Sequence, residues 1–89
     1  MIERNPLAVF TRVGDTIAVL DETSEPGELL ELSGIGAEIW ERLATPIGEA
    51  DLIDGLGADF GVDPAVVGAD VRPFLADLSA RGLLVASES

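Results

Sequence analysis

Short apolar runs separated by polar turns occupy the first third of the chain, a pattern typical of β-strands. Residues 8–13 read Ala-Val-Phe-Thr-Arg-Val, and residues 16–20 read Thr-Ile-Ala-Val-Leu. The turn signal Gly14-Asp15 lies between these runs, so together they predict a hairpin. Residues 21–27 are polar and include Pro26-Gly27, which indicates a loop. Residues 28–32, Glu-Leu-Leu-Glu-Leu, then predict a third short strand.

The rest of the chain carries apolar residues at helical spacing. The first predicted helix follows Ser33, which can serve as its N-cap, and ends at Thr45-Pro46. Its apolar side consists of Ile35, Ile39, Trp40 and Leu43. The second predicted helix spans residues 48–60. Its apolar stripe consists of Ile53, Leu56 and Phe60, with Leu52 beside it.

The third predicted helix has the clearest start signal, because Asp63 is a good N-cap and Pro64 suits the first helical position. Its apolar residues at helical spacing are Val67, Val71, Phe74, Leu75 and Leu78. Arg81 and Gly82 mark its end. Pro73 lies inside the helix and is expected to kink it. Residues 83–85 form an apolar tail that is expected to pack back on the core.

These elements predict a single domain over residues 1–89 with an α+β fold, in which a three-stranded antiparallel sheet is followed by three helices in a winged-helix-like arrangement. An apolar share of 47% in 89 residues is sufficient for one compact core.

Charge narrows the set of partners. The chain carries five basic and seventeen acidic residues, a net charge of −12, which would repel nucleic acid and anionic membranes. It favours a neutral or basic partner, although acidity that only maintains solubility is an equal alternative. The N-terminal residues lack the apolar segment of a signal peptide, and no run approaches the length of a membrane span. A cytoplasmic location is therefore expected.

The sequence offers little catalytic chemistry. It has no cysteine and no histidine, and no phosphate loop, nucleophile motif or metal-ligand spacing. We therefore expect no enzyme activity, no cofactor and no metal. The acidic series Asp51, Asp54, Asp59 and Asp63 lacks the ligand spacing of a calcium loop and is better explained as a solvated surface.

Two other binding classes are disfavoured. The segment 57–63 superficially resembles an acyl carrier protein, but Phe60 stands where the modified serine would follow the Asp. A winged-helix DNA reader is disfavoured because Asp70 and Asp77 offset Arg72 and Arg81 on the third helix. Trp40 is expected to lie in the core rather than to contact a ligand.

The third strand is the remaining candidate. As an edge strand it would expose unpaired N–H and C=O groups, which proteins usually protect with charge. Glu28 and Glu31 have two interpretations: they block aggregation at the edge, or they select a peptide that binds there. The pattern alone favours the first.

Several segments together resemble a known family over about residues 8 to 85. They are Val19-Leu20-Asp21, a loop with Gly27, residues 30–40 (Leu-Glu-Leu-Ser-Gly-Ile-Gly-Ala-Glu-Ile-Trp), Asp70-Val71, Phe74-Leu75, Leu78 and Gly82-Leu83-Leu84. Their order and spacing resemble the PqqD-like proteins, the recognition elements of ribosomally made, modified peptides. Ser33 departs from the family's usual Asn, and Pro73 is unusual in its last helix.

The resemblance implies a function for the edge. Members of this family bind the leader segment of a precursor peptide and deliver it to a modifying enzyme. A stand-alone chain of this size most resembles the lasso-peptide form, whose partners are a transglutaminase-like leader peptidase and a cyclase. The alternative is a peptide chaperone for a radical enzyme in a PQQ-like or mycofactocin-like pathway.

The implied mechanism is strand addition, in which the leader pairs antiparallel with the third strand and its side chains enter a groove beside the third helix. The residues expected to bind the leader are Glu28, Leu29, Leu30, Glu31 and Leu32 on the strand and Val67, Asp70, Val71 and Phe74 on the helix. The deeper helix residues would belong to the core, and those at the rim would touch the ligand.

Overall fold

A computed structural model describes residues 1–21 and 28–86. The strands are β1 (Ile2–Arg4), β2 (Phe10–Val13), β3 (Thr16–Leu20), β4 (Leu29–Leu32) and β5 (Leu84–Ala86), and the helices are α1 (Ile35–Arg42), α2 (Glu49–Phe60) and α3 (Pro64–Ala80). The predicted α+β fold, three antiparallel strands followed by three helices, is confirmed. The predicted loop at residues 22–27 lies outside the described residues.

The three-stranded sheet has the order β2-β3-β4, with both pairs antiparallel. The predicted hairpin is present, and Gly14 in its turn has a φ of 61°, a conformation that glycine adopts without strain. Ile17 and Val19 of β3 are fully buried, whereas the alternate residues Thr16, Ala18 and Leu20 are only partly buried. One face of the sheet therefore covers the core, and the other lies toward solvent.

The first helix differs from the prediction in two details, its N-cap and the burial of Ile35. Gly34, with a φ of 57°, holds the N-cap position, and no side chain caps the helix, so Ser33 is not its cap. Because α1 begins only at Ile35, that side chain lies at the start of the helix and is 40% exposed. The remaining apolar residues, Ile39, Trp40 and Leu43, are buried as predicted.

The second helix begins at Glu49 and ends where Gly61 adopts a left-handed conformation. Leu52, Ile53 and Leu56 are buried, but Phe60 is 51% exposed, so its assignment to the apolar stripe is wrong. Phe60 is the last helical residue, and the chain turns away there before the side chain can reach the core.

The third helix begins as predicted. The Asp63 carboxylate accepts a hydrogen bond from Ala65 N at 2.8 Å, and Pro64 is the first helical residue. The helix continues through Pro73 to Ala80. Pro73 is exposed, so its ring lies on the solvent side, away from the buried Val71, Leu75 and Leu78.

A second sheet was not predicted. β1 pairs antiparallel with β5, with Ile2 opposite Ala86 and Arg4 opposite Leu84. On the other side of β1, Ile2 exchanges two backbone hydrogen bonds with Ile47, and Arg4 N donates to Leu43 O at 2.9 Å. The tail expected only to pack on the core does bury Leu83, but it also forms this strand.

One carboxylate is buried within the fold. Asp21, at the end of β3, has no exposed surface, and its side chain accepts a hydrogen bond from Arg81 at the end of α3. Arg81 also binds Asp77, at 3.1 Å. These hydrogen bonds, that to Asp21 above all, raise the pKa of Arg81 above its ordinary value. The ion pair joins the end of α3 to the start of the connection toward β4.

The described helices include none with both the length and the apolar character that crossing a membrane would need.

Candidate functional site

The outer edge of β4 offers unpaired backbone groups. Asp21 N donates to Glu28 O at 3.0 Å, and the register places Val19 opposite Leu30. In an antiparallel pair, residues that exchange hydrogen bonds alternate with residues that do not. Even-numbered residues of β4 therefore bond to β3. The N–H and C=O groups of Leu29 and Glu31 point away from the sheet, where the described residues supply no further strand.

The side chains of β4 divide between the two faces of the sheet. Leu32 is buried and Leu30 is partly buried against the core, on the face that also holds Ile17 and Val19. Leu29 and Glu31 lie on the other face, and both are exposed. The residues whose backbone is unpaired thus carry their side chains on the solvent face. Leu30, between them, faces the core side.

The predicted helix residues differ in their access to solvent. Val67 and Val71 of α3 are 3% and 1% exposed, so they belong to the core. Asp70 is exposed, and Phe74 is partly buried. The Phe74 ring lies beside Gly36, where a Cβ would be 3.5 Å from its Cζ atom. Asp70 and Phe74 are therefore the two predicted helix residues with accessible surface.

Gly36 was not singled out from the sequence as a site residue. It lies in the first turn of α1, four residues after the end of β4, and the Phe74 ring lies beside it. A Cβ at this position would make an ordinary van der Waals contact with the ring. The available signal was its place in residues 30–40, one of the segments that resemble the PqqD-like proteins.

The acidic residues of the candidate site have no cationic partner among the described residues. Glu28, Glu31 and Asp70 are exposed and take part in none of the ion pairs there. All five basic residues of the chain are arginines, and four of them pair with carboxylates elsewhere. The β4 edge is consequently an acidic surface that the protein itself does not neutralise.

The fifth arginine belongs to an aromatic cluster at the opposite edge of the sheet. The Arg4 guanidinium lies 4.6 Å from the centre of the Phe10 ring and 5.5 Å from that of Trp40. The two rings meet edge to face, with centroids 5.4 Å apart. Trp40 is fully buried, which confirms it as a core residue. Its indole Nε1 has no hydrogen-bond partner among the described residues.

The acidic residues of α2 and its flanks do not assemble into a cation site. Asp59 pairs with Arg42, and Asp63 caps α3. Asp51 and Asp54 are exposed on α2. No group of carboxylates in residues 1–21 and 28–86 has the arrangement of a metal site.

Comparison with solved structures gives a match over nearly the whole chain. The structure of TbiB1 in complex with the TbiA(beta) leader peptide superposes with a TM-score of 0.79 and 25% sequence identity, covering 98% of this chain and 99% of that chain. That protein was therefore solved bound to a leader peptide. Among curated protein sequences, no match was found.

A protein-family model gives the family. The model described as coenzyme PQQ synthesis protein D (PqqD) matches residues 16–84, which include β3, β4 and all three helices. This range holds the segments whose order and spacing resembled PqqD-like proteins, and it contains the open edge of β4. The chain belongs to the PqqD family.

Proposed function

We propose that this protein binds the leader segment of a ribosomal precursor peptide by strand addition to β4. The observation that carries the proposal is the outward direction of the Leu29 and Glu31 backbone groups. A leader strand pairing antiparallel with β4 would exchange hydrogen bonds with these two residues and extend the sheet to four strands. The family membership and the match to a leader-bound structure support this function.

The inner face of the added strand would meet Leu30, Phe74 and Asp70. Leu30 and Phe74 are partly buried and pack against the core, so a leader side chain between them would complete their burial. Burying an apolar side chain fully contributes about 1.5–3 kcal/mol. The ordering of a free leader offsets much of this contribution, so affinity would depend on several such contacts.

The protein would act as a carrier of its peptide rather than as a catalyst. We propose that it presents the bound leader to a transglutaminase-like leader peptidase, and to a cyclase, in lasso-peptide maturation in the cytoplasm. The similarity to a structure solved with a leader peptide supports the leader-binding step of this pathway. The family description favours a second candidate, a chaperone for a radical enzyme of a PQQ-like pathway. The precursor and modifying enzymes encoded beside the gene distinguish the two.

The decisive experiment is an anisotropy titration with the fluorescently labelled leader encoded beside the gene. Glu31→Pro removes an N–H that points away from the sheet, a position where an edge strand tolerates proline. We expect it to weaken leader binding at least about tenfold, because a hydrogen bond is lost and the leader carbonyl opposite is left unpaired. The fold should be retained, as monitored by circular dichroism.

Arg12→Pro is the matched control. The hydrogen bond from Leu20 N to Val9 O shows that the odd-numbered residues of β2 bond to β3. The N–H of Arg12 therefore points away from the sheet, at the edge opposite to β4. This variant should bind the leader as the parent protein does. Equal weakening by both prolines, or no weakening by Glu31→Pro in a folded protein, would rule out strand addition at β4.

A further inference from the structure

We infer that the outer face of the β4 edge selects a two-point pattern in the leader: a basic residue opposite Glu31, followed two positions later by an apolar residue opposite Leu29. The inference rests on the proposed function and specifies its substrate. It concerns the solvent face of the extended sheet, not the groove beside α3.

The backbone directions place these two contacts. Leu29 and Glu31 are the β4 residues with outward N–H and C=O groups, so each would form a hydrogen-bonded pair with one leader residue. Directly opposite residues of this kind have Cα atoms about 5.5 Å apart, with side chains on the same face. Both β4 side chains are on the solvent face, so the two leader side chains opposite them must be there too.

The rows of side chains across the sheet distinguish the two positions. Leu29 lies opposite Leu20. Val9 accepts a backbone hydrogen bond from Leu20, so Val9, Leu20 and Leu29 form one row across the solvent face of the sheet. Leu29 and Val9 are 55% and 60% exposed, so this row is an apolar strip that ends at the open edge. An apolar leader side chain would extend the strip and cover Leu29.

The neighbouring row has a different chemistry. Glu31 lies opposite Ala18, which lies opposite Thr11, so the row contains no cation. Glu31 forms no ion pair within the described residues, and the five arginines of the chain are placed elsewhere. In a protein with a net charge of −12, an acidic leader residue here would be repelled, whereas Lys or Arg would pair with Glu31.

Antiparallel pairing sets the order of the two leader residues. Residue numbers increase in opposite directions along two antiparallel strands. The leader residue that faces Glu31 therefore precedes the one that faces Leu29. The residue between them points to the inner face, beside Leu30. The expected leader pattern is therefore basic, then a residue for the groove, then apolar.

A charge-exchange experiment tests the Glu31 contact. Each basic residue of the leader that precedes an apolar residue by two positions is replaced in turn by Glu, and every peptide is titrated against the parent protein and Glu31→Arg. One substituted peptide should bind the parent protein about tenfold more weakly than the unchanged leader does, and should regain its affinity for the Glu31→Arg variant. The unchanged leader should bind Glu31→Arg about tenfold more weakly than it binds the parent protein. Asp54→Arg, an equal charge change on exposed α2, should rescue no single peptide.

A second exchange tests the order. Leu29→Glu should weaken binding of the unchanged leader and recover it when the apolar leader residue is replaced by Lys. Recovery only from a Lys placed two positions before the basic residue would overturn the antiparallel order.

If the parent protein binds its leader but no peptide is rescued by Glu31→Arg, or if the bound leader lacks the pattern, the inference is wrong and leader binding itself stands. If the parent protein does not bind the leader, the proposed function fails as well.

Discussion

Within residues 1–21 and 28–86, neither outer edge of the three-stranded sheet has a further partner strand, but the side-chain surroundings of the two edges differ. At the β2 edge, Phe10 and Arg12 have outward backbone groups, and their side chains lie on the core side of the sheet. Phe10 packs on Trp40, and Arg12 binds Glu41 at 2.8 Å. At the β4 edge, Leu29 and Glu31 have outward backbone groups and exposed side chains on the opposite face.

This difference bears on the proposal that the leader adds to β4 rather than to β2. At the β2 edge the inner face carries Arg12 and the Phe10 ring, which is 40% exposed and has the Arg4 guanidinium over it. At the β4 edge the inner position holds Leu30, which is only partly buried. A strand added at the β2 edge would have to fit beside Arg4 and Arg12, whereas one added at the β4 edge would meet Leu30 on the inner face. The proposed assignment of the leader to β4 rests on this difference in charged neighbours, not on exposed apolar area.

The largest expected effect is at the β2 edge. Phe10→Ala removes an aromatic contact and the ring under Arg4, and should lower the free energy of unfolding by about 2 kcal/mol. Urea denaturation measures this loss. Leader affinity, titrated where the variant is fully folded, should stay unchanged. A parallel loss of affinity would show that the two edges do not have separate roles.

The next effect is at the open edge. Leu30→Ser removes the apolar side chain that a leader would cover, and should weaken leader binding about tenfold, equivalent to about 1.4 kcal/mol. Val13→Ser is the control, because Val13 is 68% exposed on the solvent face of β2. It should change neither affinity nor stability. Unaltered leader affinity in folded Leu30→Ser would contradict an inner-face contact at this residue.

A smaller effect is expected from the stacked cation. Arg4→Met keeps most of the apolar length of the side chain but removes its charge, and should lower the free energy of unfolding by about 1 kcal/mol. Thermal denaturation would detect the change, and leader binding should not respond. Stability equal to that of the parent protein would mean that the aromatic rings hold this edge without the cation.

The smallest effect is expected from Arg12→Met. Its ion pair with Glu41 joins two side chains that are 57% and 43% exposed, and such pairs contribute about 0–1 kcal/mol. We expect less than about 0.5 kcal/mol, measured by the same denaturation as Arg4→Met. A loss larger than that of Arg4→Met would reverse the ranking of ion pairing and stacking at the β2 edge.

Local periodicity was sufficient to predict the meander and the three helices, because these elements are formed by residues near one another in the chain. It could not reveal β1 or β5. Each has only three residues, and their pairing joins the two ends of the described chain. Ser33 was chosen as a cap by its side chain, whereas the backbone conformation of Gly34 places the helix start one residue later.

The site was predicted as a block of residues, 28–32 and the face of α3, and the structure divides that block. That alternate residues of β4 have outward backbone groups could be anticipated from the strand, but whether these are the odd- or the even-numbered residues could not. The register with β3 and the Asp21–Glu28 bond decide that Leu29 and Glu31 face outward. Burial likewise separates Val67 and Val71 from Asp70 and Phe74, a division that depends on how α3 packs.

The pairing of β1 with β5 has a consequence for the order of folding. Contacts between residues far apart in sequence form slowly, whereas the β2-β3-β4 meander is built from neighbouring segments. The β1–β5 pair is expected to form last during folding and to open first. Hydrogen exchange at Glu3 and Val85 should then be faster than at Val19 and Leu30. The edge proposed to capture a leader would survive these openings, so a molecule with frayed ends would remain competent to bind.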